Sequence, residues 1–473
     1  MPRSLPQPPW TTPRRAAACL LLLTALVYAG ALGGGYILDD EMIYLDDPSM
    51  PRQTIGSAFS GPVPKFLWHP AGYCYYRPAT VLLHSWLARG FAGQPFWLHL
   101  FSLAAHAAAA LAAFLLVSQF AEARVAWLAA ALFVAHPLHV EAVAWMAGLP
   151  EMVAAGLMFV SLYAVVAATP PGGVATHSLA ETDGGLKTAA DDGGLKTAAT
   201  DRGGSAPWLL AVAYLAAAAA MLTKESALAL PLMAVVFVGW RAWPFFGLAA
   251  GSLLLRRIAV GSAATPLPGH VGWGAIKTAA AALLHYVWKL VWPWPLALDY
   301  NLSFSAASWL GFFLAAALLA WLGLRWPQMR RAALLLVLPL LPALAATLVL
   351  PSQGKVQDRY AYAAVLGFAL LVAHLARHRR LAWFVPALLI AWGFLSIGAI
   401  RHWQDPEALW TNTLRVTPNS RNAVLGLGDW YYSTARFQEA DRVYQQGLAM
   451  LPGDRAILAS QAAVRAAMAR RKK

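Results

Sequence analysis

Ala16-Ala-Ala-Cys-Leu-Leu-Leu-Leu-Thr-Ala-Leu-Val-Tyr-Ala-Gly-Ala-Leu-Gly-Gly-Gly-Tyr36 carries no charge, and it runs directly into Ile37-Leu-Asp-Asp-Glu-Met-Ile-Tyr-Leu-Asp-Asp47. A helix of that length covers about 31 Å, enough to cross a ~30 Å hydrocarbon layer. The acidic stretch that follows holds five carboxylates between Asp39 and Asp47. Acid at the end of a membrane segment lies at the water interface, where a carboxylate stays ionised and meets polar substrates. Three readings of the cluster stand open: a general base, a site for a divalent cation, or a solvated loop. Leu32-Gly-Gly-Gly35 offers no evident cleavage site, so the first segment reads as a retained span rather than a signal peptide.

The rest of the chain extends that pattern. Of its 473 residues 59% are hydrophobic and 12% charged, with a mean hydropathy of +0.53. The apolar residues lie in blocks of about 17–22, the length of membrane helices. In lipid the backbone must bond to itself, so the fold is an all-α polytopic membrane bundle. The net charge of +14 is no nucleic-acid footprint, because Lys and Arg gather in short clusters between apolar blocks. Cys19 and Cys74 supply neither a metal spacing nor a disulfide framework.

Eleven spans are expected, at about 16–36, 96–118, 125–145, 150–168, 207–222, from Ser226 to Trp240, and at 243–255, 307–324, 332–350, 360–376 and 382–400. The loop 37–95 contains an amphipathic helix over 79–91, with Val81, Leu82, Trp86 and Leu87 to one side, lying in the interface. Residues 275–292 are apolar but hold Lys277, His285 and Lys289. Arg14 and Arg15 place the N-terminus in the cytoplasm. The clusters Arg325, Arg330, Arg331 and Arg377, Arg379, Arg380 belong there too, with the acidic loop, Gln353–Arg359 and the C-terminus outside. That parity holds only if 275–292 is interfacial or re-entrant. Residues 170–206 contain a near-duplication, Asp183–Ala190 and Asp192–Ala199, of small polar units that cannot bury a core; they read as a flexible cytoplasmic insert.

The membrane domain ends near residue 400. Within 401–473, residues 419–452 match a 34-residue helix–turn–helix repeat through Leu427-Gly428, Tyr431, Phe437, Glu439-Ala440, Tyr444, Leu448 and Pro452. Such a unit either docks a protein partner or serves as a structural cap.

Ionisable residues collect at the outer ends of the spans: the acidic loop, His136-Pro-Leu-His139-Val-Glu141, Lys224-Glu225, Asp299-Tyr300 and Asp358-Arg359. Charge at membrane depth is expensive and marks function, so these suggest one aqueous site. Pro137 breaks its helix and lets His136, His139 and Glu141 project. Their spacing departs from the zinc-helix pattern, which favours a polar pocket wall over a metal site. Lys224 and Arg359 are outer cations, suited to an anionic lipid headgroup or to ion pairs with Glu225 and Asp358.

The ordered set Leu38-Asp-Asp-Glu41, Tyr44-Leu45, Pro48, Tyr76-Arg-Pro78, Trp97-Leu-His99, His136–Trp145, Leu222-Thr-Lys-Glu225, Trp292-Pro293, Leu298-Asp-Tyr300 and Asp358-Arg-Tyr360, closed by the repeat, covers nearly the whole chain. It resembles the membrane-embedded tetratricopeptide-containing O-mannosyltransferase-like proteins of the GT-C glycosyltransferase class. The resemblance implies a GT-C-like bundle and a tetratricopeptide domain. It also implies transfer of a mannose-like hexose from a polyprenyl-phosphate carrier to an extracytoplasmic protein Ser/Thr, peptide or glycan. Asp39 and Asp40 fall on the family's acidic motif, one as general base. Arg359 and Lys224 would hold the phosphate, and His136, His139 and Glu141 the sugar. Glu41, Arg77, Asp299, Tyr300 and Asp358 are further candidates. No cofactor and no metal ligand set is implied, and no nucleic acid; membrane lipid is the surrounding partner. The Ala- and Arg-rich composition suits a bacterial cytoplasmic membrane. Two rivals remain: a non-catalytic scaffold and a proton-coupled transporter. The transporter is disfavoured by charges at one face and by the lack of a repeat across the bundle.

Overall fold

The computed structural model describes residues 13–61, 64, 67–69, 73–169, 207–261, 272–300, 302, 306–349, 356–378 and 381–471. The 170–206 insert lies outside the described residues. Apart from a two-residue antiparallel pairing of Trp68–His69 with Tyr73–Cys74, the described chain is helical.

The first span is α1 (Pro13–Tyr28) with a further turn to Gly33. Ala16, Leu20, Thr24 and Val27 recur every three or four positions and are buried, whereas Leu21, Leu22 and Leu26 are about 60% exposed, at 58%, 61% and 65%. An apolar stripe left open on a helix that is apolar all round is a surface for lipid. The acidic loop begins with α2 (Asp39–Glu41), and the loop continues through α3 (Ile55–Ser60) and α4 (Pro78–Phe91). Helix α4 is not among the helices suited to crossing; it buries Val81, His84 and Leu87 and exposes Trp86, so the four residues expected on one side do not share one environment.

Next come α5 (Pro95–Ser118), α6 (Ala123–Ala135), α7 (Val140–Ala144) and α8 (Leu149–Ala168). Pro137 sits at the break between α6 and α7, which bend by 53° and together are long enough for one span. Helices α5 and α8 approach closely because small residues face each other: a Cβ on Gly156 would lie 3.5 Å from the Ala109 backbone.

After the insert come α9 (Pro207–Thr223), α10 (Leu230–Val238) and α11 (Trp243–Val260). The apolar stretch Glu225–Val260 is 36 residues long. On a straight helix Glu225 and Arg256 would stand about 46 Å apart. Both instead meet one short loop: Arg77 bonds Glu225 at 2.8 Å, and Arg256 Nη2 bonds the Cys74 carbonyl at 3.3 Å. The chain therefore reverses between α10 and α11, at Gly239 (φ +58°) to Ala242.

Helix α12 (Trp273–Val291) is also not among the crossing candidates. Its first residue, Trp273, stacks on Trp309 of α13 (Ala306–Arg325), and its Leu284 touches Gly311 only two positions further on. These two contacts, eleven residues apart on α12 and two apart on α13, set α12 across the start of α13. The bundle closes with α14 (Pro327–Val337), α15 (Leu341–Val349), α16 (Val365–Leu375) and α17 (Phe384–Ile400).

Seven helices are long and apolar enough to cross a membrane, or eight with the α6–α7 pair. The three other expected spans are α9, with 17 residues, α16, with 11, and the second limb of Glu225–Val260. Helix α16 is short because a 3-10 turn, Asp358–Ala361, and a further turn occupy the start of the expected span.

The two ends of the bundle differ in charge. At one end Arg377 pairs with Glu122 and Arg331 lies over Phe120, which brings the two expected arginine clusters together. At the other end lie the acidic loop, Glu141, Lys224 and Arg359.

Gly367 of α16 sits where an added Cβ would collide with the backbone of α14 at Leu335–Leu336. Backbone cannot yield as a side-chain tip can, so Gly367→Ala is expected to destabilise by about 1–3 kcal/mol. A lower thermal midpoint of the detergent-solubilised protein, with Gly274→Ala (open space) unchanged, is the check.

The chain ends in two antiparallel helix pairs: α18 (Pro406–Val416) with α19 (Arg421–Ser433), then α20 (Phe437–Met450) with α21 (Arg455–Arg471). Asp405 and Ser420 cap α18 and α19 by accepting the Ala408 and Ala423 amides. Tyr444 fills the space over Gly428 and bonds Asp429 at 2.5 Å, so these sequence-marked positions pack α19 on α20. The small core of Val424, Ala440, Tyr444, Ile457 and Val464 is separate from that of the bundle.

Candidate functional site

The acidic loop is fixed by one of its own acids. Asp40 is fully buried; its Oδ2 accepts the Ile37 amide at 3.1 Å and its Oδ1 the Ala147 amide at 2.8 Å. These bonds tie the loop to the turn before α8 and hold Leu38 at φ +53°, a conformation that a leucine adopts only under constraint. Strain of this kind next to a functional group orients it. The residue it orients is Asp39.

The Asp39 carboxylate accepts no hydrogen bond among the described residues, and the residue lines a cavity of about 340 Å³. Burial raises its carboxyl above the usual range, while the charges of Arg359 and Arg77 pull it down. Asp40 is raised further, mainly by burial, against the pull of its amide bonds. The pair expected as equivalent candidates is thus unequal: Asp40 has both oxygens committed to backbone, and only Asp39 is free to take a proton. Glu41 points into solvent, and Asp47 is used by Ser49, whose amide it accepts at 2.9 Å. Among the described residues no three acids, histidines or cysteines gather as a metal ion requires.

The charges of Arg359 and Arg77 act on Asp39, and with Lys224 these cations form a cluster in which each is held by a glutamate. Arg77 pairs with Glu225 at 2.7 Å, Lys224 with Glu151, and Arg359 with Glu141. The partners expected for Lys224 and Arg359, namely Glu225 and Asp358, are corrected: Lys224 reaches the first turn of α8, and Glu225 turns to Arg77. Glu141 Oε2 also accepts the Arg359 amide at 3.2 Å. The Arg359 guanidinium lies over Trp145 at 4.7 Å and Tyr360 at 5.1 Å, and Lys224 lies 5.7 Å from the Tyr360 ring. Lys224 feels the charges of both Arg77 and Arg359, so the three form one cluster.

The histidines do not line this cavity, which corrects their expected place in a sugar pocket. His136 Nε2 bonds the Leu290 carbonyl at 3.0 Å, its Nδ1 accepts the Leu138 amide at 3.2 Å, and its ring packs on Trp392. His139 bonds the Tyr362 carbonyl at 3.2 Å among Phe133, His106 and Tyr362. Both rings are wholly buried. They join α6, α12, α16 and α17 where Pro137 opens the backbone. Glu141 serves the site by holding Arg359.

Asp299 also has a structural task. Its Oδ2 accepts Ser420 Oγ at 2.7 Å and Asn422 Nδ2 at 3.2 Å, and its carbonyl accepts Thr417 Oγ1 at 2.9 Å. These contacts seat α19 over the bundle, so the helical C-terminal region roofs the cavity with Trp410, Asn422 and Leu425. Tyr300 donates to Asp358 Oδ2 at 2.8 Å below this roof.

Burial and the nearby Glu141 push Asp358 up to about 8. Its neutral form is therefore favoured in the folded protein. The stability this provides is complete below about pH 4 and is lost as pH rises through 8. Asp358→Asn, which imitates the neutral carboxyl, is expected to flatten the fall in thermal midpoint between pH 6 and 9 and to overtake the parent at pH 9. Parallel curves for the two proteins would remove Asp358 as the titrating group.

Several cavity residues lacked a signal in sequence: Trp410, Asn422 and Leu425 belong to another part of the chain, and nothing local marks them as facing Asp39. Glu151 carried a readable one, an acid just inside an apolar block. Compared with family models, curated proteins and solved structures, the chain shows no match. What fold and site define is a multi-pass helical membrane protein with a polar cavity at one end of its bundle.

Proposed function

We propose that the protein is an integral membrane glycosyltransferase of GT-C type that moves a hexose from a polyprenyl-phosphate carrier to an acceptor outside the cytoplasm. The observation that carries this reading is Asp39: a carboxylate without a partner among the described residues, facing a cavity and set beside Arg359 and Arg77, whose cluster Lys224 completes. An acceptor hydroxyl at Asp39 loses its proton to that carboxylate as its oxygen bonds the anomeric carbon. The bond from that carbon to the phosphate oxygen breaks on the opposite face, so the configuration inverts. Arg359, Arg77 and Lys224 stabilise the phosphate that leaves. Arg77 joins the two cations first expected there, because it lies in the same cluster. The charge asymmetry of the bundle supports an N-terminus in the cytoplasm and the site and C-terminal helices outside. The 34-residue pattern and the paired helices support the tetratricopeptide reading of 401–473, here acting as a roof.

The test is transfer of label from polyprenyl-phosphate-linked mannose or glucose by the purified full chain, with the anomeric configuration of the product determined. Inverted product supports the proposal. Absence of transfer from either donor, beside specific capture of a protein by the C-terminal helices, supports a scaffold instead.

A further inference from the structure

The cavity has two unlike sides. Of the three cations only Arg359 lines it; Arg77 and Lys224 do not. A phosphate gripped by all three would thus reach outside this cavity, leaving the roofed part for another molecule. The roofed side combines aromatic faces with amides and carboxylates: Trp145 and Trp410, Gln357 and Asn422, Asp39 and Asp299.

We propose that the roofed cavity is a subsite for a saccharide, with Trp410 as its stacking wall and Trp145 offering its indole N–H. The negative face of an indole attracts the C–H face of a sugar ring, while amides and carboxylates take hydroxyls. Two observations support a built site. The Trp410 ring lies flat on Gly426, closer than any Cβ would allow, so a glycine of α19 fixes its position. Trp145 is only 6% exposed, yet its Nε1–H has no acceptor among the described residues. Buried donors are normally satisfied, and a ligand oxygen would satisfy this one. At about 340 Å³ the cavity is near the lower end of small-molecule sites, of the order of a sugar unit or two. The roof is made of helices, which present no strand edge along which an extended peptide could pair. That the saccharide is the acceptor rests on the proposed transfer; that the cavity takes a saccharide does not.

The experiment is saturation-transfer NMR on the full chain in micelles, without donor, using methyl α-mannoside, methyl α-glucoside and mannobiose beside a Ser/Thr-rich peptide. At least one saccharide is expected to bind. Trp410→Ala should weaken binding about five- to tenfold. Gly426→Ala, which drives the same ring from its seat, should act in the same direction, and the exposed Tyr432→Ala on α19 should leave it unchanged. Saccharide binding that fails in the parent, persists unaltered in both cavity variants, or gives way to binding of the peptide alone overturns the proposal. Saccharide binding lost in both variants, in a protein that transfers nothing, upholds the subsite and overturns the transferase reading instead.

Discussion

Asp39→Asn is expected to lower the rate of hexose transfer by a factor of about 10²–10⁴, the usual contribution of a positioned general base. The amide has the shape of the carboxylate but cannot accept the proton. The Asp39 carboxylate supports no other group by hydrogen bonding among the described residues, so folding and donor binding should be retained. That expectation separates it from its neighbour. In Asp40→Asn one amide N–H₂ must face the Ile37 or Ala147 amide, donor against donor, which costs about 1–3 kcal/mol in a buried place. Asp40→Asn should therefore lower the thermal midpoint and lose activity as the loop loosens. The deciding comparison is rate against midpoint for the two variants. Full transfer by Asp39→Asn would remove the base from the mechanism.

How much of this was readable beforehand depends on the range of the signal. The all-helical membrane bundle followed from local facts, since apolar block length and the absence of water fix backbone bonding. The shared side of the arginine clusters followed from charge rules, and Arg331 and Arg377 do meet the turn at Phe120–Glu122. For 275–292 parity gave an interfacial or re-entrant helix, and α12 is not among the helices long and apolar enough to cross.

Pairing within the site was not legible. Lys224 and Glu225 are neighbours in sequence, but an extended residue followed by a 3-10 turn sends their side chains to different partners, Glu151 and Arg77. The histidines misled for a related reason. A proline break frees backbone groups, and His136 fills the need so created by accepting the Leu138 amide and bonding the Leu290 carbonyl. In sequence that duty looks the same as a ligand site. Asp299 likewise looked like a member of the acidic face, but its contact with Ser420 and Asn422, more than a hundred residues later, makes it an anchor for the roof.

Arg359 and Glu141 give the second large effect. Their side chains are 12% and 1% exposed, so each is the other's principal compensation for lost water. Removing either alone, in Arg359→Ala or Glu141→Ala, is expected to cost about 3–5 kcal/mol, because a charge is left buried without its partner. Replacing both by apolar residues of similar size, in Arg359→Met with Glu141→Leu, should return most of that stability, since no charge then remains to be solvated. Transfer should not return, as the guanidinium over Trp145 is also the one cation of the cluster that lines the cavity with Asp39. A double variant that regains its midpoint and stays inactive gives Arg359 two separate duties, holding the fold and holding the phosphate. A double variant that regains both would reduce Arg359 to a structural ion pair, and the cation cluster would then consist of Arg77 and Lys224.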